Sequence, residues 1–123
     1  MRLAKQRRNL TLKNMFCNKG GKMKVIHEKE FDEEIKEGLV LVDFFASWCG
    51  PCRMMSMILE EVEEELKDKV KIVKVDVDED ENLARRFGIM SIPTLLLYVD
   101  GKLYEKHTGV WQKDTLVELL SSF

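Results

Sequence analysis

Trp48-Cys49-Gly50-Pro51-Cys52 places two thiols two residues apart, at the point where an apolar strand gives way to a helix. The short spacing lets both sulfurs converge and close a small disulfide ring. A Cys-X-X-Cys between a strand and a helix therefore indicates a redox-active dithiol. This stretch predicts thiol-disulfide chemistry, which the rest of the chain must position and activate.

The residues before the motif predict a strand that is buried on both faces. Positions 39–46 read Leu-Val-Leu-Val-Asp-Phe-Phe-Ala, and both alternating faces are apolar, as in the centre of a mostly parallel sheet. Asp43 is the exception. A carboxyl group inside such a strand should have a raised pKa, which suits a general base serving Cys52 directly or through water. An edge position that reaches solvent is the alternative for Asp43.

The residues after the motif predict a long helix over about residues 50–69. Pro51 suits its first turn, where a missing N–H costs nothing. Cys52 begins an apolar stripe at helical spacing, and the methionines of this helix are expected to fill the core. Cys49 lies at the helix N-terminus, where unpaired N–H groups favour a thiolate and lower the thiol pKa. Cys49 is therefore expected to be the exposed attacker and Cys52 the buried partner.

The rest of the pattern predicts the element order βαβαβαββα, an α/β fold. The expected elements are strands at 24–27, 39–46, 70–77, 95–99 and 102–108, and helices at 30–37, 50–69, 82–87 and 113–120. Asp100-Gly101 between the last two strands is a strong hairpin signal. Parallel crossover units followed by an antiparallel hairpin form a mixed sheet, which needs helices on both faces.

Length and charge favour one acidic domain behind a basic head. The chain has 123 residues and 45% hydrophobic content, enough for a single core. Residues 1–22 hold seven of the 20 Lys and Arg residues and no acid. Residues 23–123 hold the other 13 Lys and Arg residues and all 22 acidic residues. Their net charge is therefore about −9. An acidic body argues against nucleic-acid binding, which needs Lys and Arg on one face.

Three interpretations of the head at residues 1–22 compete. It could be an organelle transit peptide, although it contains no Ser, or a functional basic arm. We favour a third interpretation, in which the natural start is Met23. Gly20-Gly21-Lys22 before Met23 is what a purine-rich ribosome-binding sequence would encode if it were translated. Cys17 would then be a stray thiol with no role, and residues 23–123 would form the domain.

The three cysteines, Cys17, Cys49 and Cys52, cannot form a disulfide framework, which favours a reducing compartment such as the cytoplasm. No apolar run is long enough to span a membrane, and no secretory signal is evident. Zinc is disfavoured as well, because it needs four ligands and only Cys17, His27 and His107 could join the motif. We therefore expect a soluble protein without a metal.

From Met23 onward the sequence resembles the thioredoxin family over essentially the whole domain. The matching stretches are, in order, Val42-Asp43-Phe44, the Trp48–Cys52 motif, Val73-Lys74-Val75-Asp76, Ile92-Pro93-Thr94, the Asp100-Gly101 hairpin and Gly109. The resemblance implies the thioredoxin fold and a protein-disulfide oxidoreductase whose redox centre is the Cys49-Cys52 pair, without another cofactor. It also places Asp43 behind Cys52, with Lys74 nearby to stabilise its ionised form.

The resemblance further implies a substrate-binding surface. The Ile92-Pro93 bond is expected to be cis and to face the dithiol, so that the Ile92 backbone can pair with an extended substrate segment. The expected surface comprises Trp48, Gly50, Pro51, Ile92, Pro93, Gly109 and Val110. Trp111 either joins this surface or packs beside the last helix.

The resemblance implies a monomer that receives electrons from a thioredoxin reductase and passes them to disulfide-containing client proteins, with no nucleic acid or membrane involved. Two alternatives remain on the same fold, a disulfide oxidant or isomerase and a non-catalytic binding module. Gly50-Pro51 between the cysteines resembles the reductant class, whereas a histidine there would favour oxidants.

Overall fold

Residues 23–123 are described by a computed structural model, whereas the basic head at residues 1–22, including Cys17, lies outside the described residues. The elements are β1 (Lys24–Val25), α1 (Glu28–Ile35), β2 (Leu39–Phe45), α2 (Gly50–Leu66), β3 (Lys71–Asp76), α3 (Glu81–Arg86), β4 (Thr94–Val99), β5 (Lys102–Thr108) and α4 (Lys113–Ser121). The predicted order βαβαβαββα is confirmed.

Most helix boundaries differ from the prediction by one to three residues, and two of these differences have a visible cause. Helix α1 starts two residues early, because the Glu30 carboxylate accepts the backbone N–H of His27 at 3.1 Å and caps the helix at that point. Helix α2 ends three residues early, at Leu66. The N–H groups of Lys69 and Val70 both bond to the Leu66 carbonyl, at 2.8 and 3.1 Å, and turn the chain toward β3.

The five strands form one mixed sheet in the order β1-β3-β2-β4-β5. Strand β2 lies at its centre, parallel to β3 and antiparallel to β4. This position explains why residues on both faces of β2 are buried. Strands β4 and β5 form the predicted hairpin around Asp100-Gly101, where both residues have positive φ.

Helices cover both faces of the sheet, as predicted. On one face, α1 and α3 pack against Val40, Val42 and Phe44 of β2. On the other face, α2 and α4 pack against Leu41, and the half-buried Phe45 packs against the cysteines. Alternate β2 residues therefore point to the two layers. None of the helices within residues 23–123 is both long and apolar enough to cross a membrane.

The methionine prediction for α2 is only partly confirmed. Met55 is fully buried, but Met54 and Met57 are both more than half exposed. With 3.6 residues per turn, the stripe through Cys52 and Met55 faces the sheet, and the two other methionines lie outside it. Core filling is therefore wrong for Met54 and Met57.

Trp111 packs beside the last helix, which is one of the two predicted alternatives. It is buried in the same core cluster as Leu116 and Leu120, and its ring stacks on His107 with centroids 4.3 Å apart. Its backbone N–H also donates to the Met55 sulfur at 3.1 Å. Trp111 is thus part of the core under α2 and α4.

Candidate active site

The two cysteines of the motif are joined in a disulfide, with their Cα atoms 5.2 Å apart. Cys49 is the N-cap residue of the 17-residue helix α2, and Pro51 occupies its first turn. The backbone N–H of Cys52 donates to the Cys49 sulfur at 3.1 Å. The Cys49 sulfur thus lies where the N–H groups and the dipole of the helix favour a negative charge.

The expected contrast in exposure between the cysteines is wrong for this disulfide form. Cys49 is 5% exposed and Cys52 is 2% exposed, so both are buried. They pack with Ala46 and are covered by half-buried apolar residues, among them Ile92. The two sulfurs differ in position instead, because only that of Cys49 caps the helix.

Asp43 is fully buried, which rules out the solvent-reaching alternative. It lies on the α2 face of the sheet, between Leu41, which packs in the α2 and α4 core, and Phe45, which packs on the cysteines. Neither of its carboxyl oxygens has a hydrogen-bond partner among residues 23–123. Burial raises its pKa from 3.8 to about 7, against the opposing effect of the Lys74 charge.

Lys74 lies opposite Asp43 on the neighbouring strand. Its ammonium nitrogen is 4.0 Å from the nearer Asp43 oxygen and 4.5 Å from the centre of the Phe45 ring. It also contacts the Ser56 hydroxyl on α2. The contact with Ser56 was not predicted. A polar residue next to buried Met55, one turn after Cys52, is the signal that could have drawn attention to it.

The loop before β4 supplies the facing side of the dithiol. The Ile92-Pro93 peptide bond is cis, as the resemblance implies. The Ile92 carbonyl oxygen lies 3.9 Å from the Cys49 sulfur, and the Gly109 N–H donates to the Pro93 carbonyl at 2.7 Å. These contacts place the cis-proline loop and the C-terminal end of β5 beside the N-terminus of α2.

The remaining predicted surface residues differ in exposure. Trp48 is 68% exposed, Gly50 and Pro51 are also exposed, and Val110 is half-buried against the α2 and α4 core. Although the Trp48 ring faces solvent, its indole N–H donates to the Asp78 carboxylate at 2.8 Å. This hydrogen bond fixes the position of the N–H edge of the Trp48 indole ring.

Two neighbours of this surface were not predicted. Asp78, which anchors Trp48, begins the acidic run at 78–81 that leads into α3, and its N–H donates to the Asp76 carboxylate at 2.9 Å. Met90 is 94% exposed and lies two residues before Ile92. The only signal for Met90 is an apolar residue in a short loop next to a proline motif.

No group of three or more His, Cys, Asp or Glu side chains within residues 23–123 could hold a metal ion. The two histidines have other contacts. His27 bonds to the Asp80 carboxylate at 2.9 Å, and His107 bonds to the Val110 carbonyl at 3.2 Å.

A redox-capable cysteine pair at a helix N-terminus, opposite a cis-proline loop and with a buried carboxyl group on the sheet face that this helix covers, defines a thiol-disulfide oxidoreductase. Comparison with known proteins narrows this class. The thioredoxin family model matches residues 22–122. The curated thioredoxin of Bacillus subtilis is 49% identical over 94 residues, which is 76% of this chain and 90% of that protein. The Listeria monocytogenes thioredoxin is 48% identical over 101 residues, which is 82% of this chain and 98% of that protein.

Solved structures agree with the sequence comparisons. A mutant thioredoxin from Halobacterium salinarum NRC-1 superposes with a TM-score of 0.75 at 34% identity, covering 83% of this chain and 90% of that one. The chain belongs to the thioredoxin family. It is therefore a protein-disulfide oxidoreductase with the function of a protein-disulfide reductase, and members of this family use their own dithiol as the redox centre.

Proposed function

We propose that this chain reduces protein disulfides through unequal roles of its two cysteines, with Cys49 as the attacking thiolate and Cys52 as the resolving thiol. The observation that carries this assignment is the position of the Cys49 sulfur. It caps α2 and accepts the Cys52 N–H, whereas the Cys52 sulfur accepts no comparable bond from the residues that the structure describes. A negative charge is therefore favoured on Cys49.

In the first step, the Cys49 thiolate attacks one sulfur of a client disulfide. The client S–S bond breaks, a mixed disulfide forms between Cys49 and the client, and the other client sulfur leaves as a thiolate that takes up a proton. The client segment lies extended beside the Ile92 backbone, next to the Pro93 loop. Its side chains contact the substrate-binding surface, which comprises Trp48, Gly50, Pro51, Ile92, Pro93, Gly109 and Val110.

In the second step, Cys52 attacks the Cys49 sulfur. The mixed disulfide breaks, the Cys49-Cys52 disulfide forms, and the second client thiolate leaves. The Cys52 thiol must first lose its proton, and Asp43 takes it directly or through water. With a pKa of about 7, Asp43 is suited to accept a proton near neutral pH. The Lys74 charge limits the rise in this pKa.

The same chemistry suggests the partners. Each cycle leaves the chain oxidised by two electrons, so a donor must reduce the disulfide again, and a thioredoxin reductase supplies these electrons by family analogy. The clients are proteins with accessible disulfides. A reducing dithiol is useful where thiols are kept reduced, which favours the cytoplasm. We propose that residues 23–123 act as a monomer and that the head is not needed for exchange.

The assignment of the attacking thiol predicts selective alkylation. When the reduced chain is treated with limiting iodoacetamide at pH 6, we expect Cys49 to react at least about tenfold faster than Cys52, because a thiol of ordinary pKa is almost wholly protonated there. Mass spectrometry of the digested protein measures both rates. In urea the folded environment is lost, so the rates should become similar. Equal rates in the folded protein, or faster reaction of Cys52, would contradict the assignment.

A further inference from the structure

The buried acid and base of the site do not form a close pair. The Lys74 ammonium nitrogen is 4.0 Å from the Asp43 carboxylate, beyond normal hydrogen-bond distance, and both Asp43 oxygens lack a hydrogen bond among the described residues. Lys74 contacts the Ser56 hydroxyl instead and lies over the Phe45 ring. Two neutral groups thus hold a cation next to an unpaired buried carboxyl group.

We propose that Ser56 is a positioning residue of this site, which holds the Lys74 ammonium on the α2 side and out of hydrogen-bond reach of Asp43. This inference rests on the proposed role of Asp43 as the proton acceptor for Cys52. The interaction of the Ser56 side chain in this structure is with Lys74, and Ser56 acts on the site through that residue.

The physical reason lies in the hydrogen-bond donors of Lys74. An ammonium group has three donors, and the Lys74 side chain is only 13% exposed. The Ser56 hydroxyl accepts one of them even while Asp43 is protonated and neutral. Without that hydroxyl, the nearest strong acceptor is an ionised Asp43. The protein would then favour the charged pair, and Asp43 would bind a proton less readily.

The groups on the elements around Asp43 allow the effect of Ser56 on the Asp43 pKa to be separated from other electrostatic effects. Strand β3 contributes Lys74, and strand β4 contributes Leu95, which pairs with Asp43 and carries no charge. Helix α2, which covers this face of the sheet, carries Ser56 and Cys52 and begins at Cys49, its N-cap residue. In the oxidised protein the cysteines do not titrate, so Lys74 is the charged group through which Ser56 can act on Asp43.

The test follows Asp43 directly in the oxidised full chain, by the NMR shift of its carboxyl carbon as a function of pH. In Ser56→Ala we expect the titration midpoint to fall by about one pH unit relative to the unsubstituted protein. Alanine favours helix, so α2 should remain folded. Ser56→Thr keeps the hydroxyl and should restore the original midpoint. Met57→Ala, an exposed neighbour on the same helix, should leave it unchanged.

A chain that carries Lys74→Met tests whether Ser56 acts on Asp43 through Lys74. In a Lys74→Met chain, adding Ser56→Ala should leave the Asp43 midpoint where Lys74→Met alone puts it. An unchanged or raised midpoint in Ser56→Ala would overturn the role of Ser56, as would a further shift in the Lys74→Met background. These titrations involve no client. The role of Asp43 is judged separately, by the pH profile of client release, which should move with the midpoint if Asp43 is the acceptor.

Discussion

Cys49→Ser should lower the rate at which the chain reduces a disulfide-bonded test protein by roughly 10³-fold or more, since the attacking nucleophile is lost. A serine hydroxyl does not ionise near neutral pH and cannot form a disulfide. Cys52 cannot replace it in the same way, because Cys49 and not Cys52 is the N-cap residue of α2. The measurement is steady-state turnover with a chemical dithiol or a thioredoxin reductase as the electron donor.

Cys17→Ser is the matched control for this loss. It makes the same chemical change in the head, and the proposed mechanism gives Cys17 no role, so turnover should stay within about twofold of the unsubstituted chain. If Cys49→Ser kept more than a tenth of the rate, Cys49 would not be the nucleophile. If it kept its partner affinity and its physiological role, the chain would act as a binding module.

Asp43→Asn should make the oxidised protein more stable above pH 7, by up to about 4 kcal/mol in the free energy of unfolding. The pKa of Asp43 is about 7 in the folded chain, against 3.8 for an ordinary aspartate. Between these values the unfolded chain releases a proton that the folded chain keeps. The contribution of Asp43 to the free energy of unfolding is thus fully present below about pH 4. It is lost as the pH rises to about 7, at about 1.36 kcal/mol per pH unit.

Urea unfolding at pH 4, 6 and 8 measures this effect. The stability gain of Asp43→Asn over the unsubstituted chain should grow with pH across this range, because asparagine has no proton to release. Asp68→Asn makes the same chemical change at an exposed position and is the matched control against which the gain from Asp43→Asn is compared at each pH. A gain from Asp43→Asn that did not grow with pH would show that Asp43 is ordinary in the folded chain.

Hydrophobic patterning was sufficient to predict the order of elements and the burial of Asp43. Both faces of residues 39–46 are apolar, which indicates a central strand, and a central strand buries the side chains of its middle residues on both faces. The cis bond at Ile92-Pro93 could not be inferred from the residues, because most bonds before proline are trans. Only the family resemblance implied it.

Other features of the site depend on contacts between elements that are distant in sequence. Ser56 meets Lys74 across 18 residues, and Trp48 meets Asp78 across 30 residues. Periodicity indicates which face of a helix or strand a residue occupies, but it does not identify the side chain opposite. The low exposure of Cys49 has the same origin, since it depends on Ile92 from a distant loop.

The central claim, that Cys49 attacks and Cys52 resolves, is tested most directly by trapping the intermediate. A Cys52→Ser chain that also carries Cys17→Ser is mixed in its reduced form with a disulfide-bonded client, and the covalent product is digested and mapped by mass spectrometry. We expect a long-lived mixed disulfide with the client attached to Cys49, and no comparable product from the corresponding Cys49→Ser chain. A client attached as readily to Cys52 in the Cys49→Ser chain would contradict the claim.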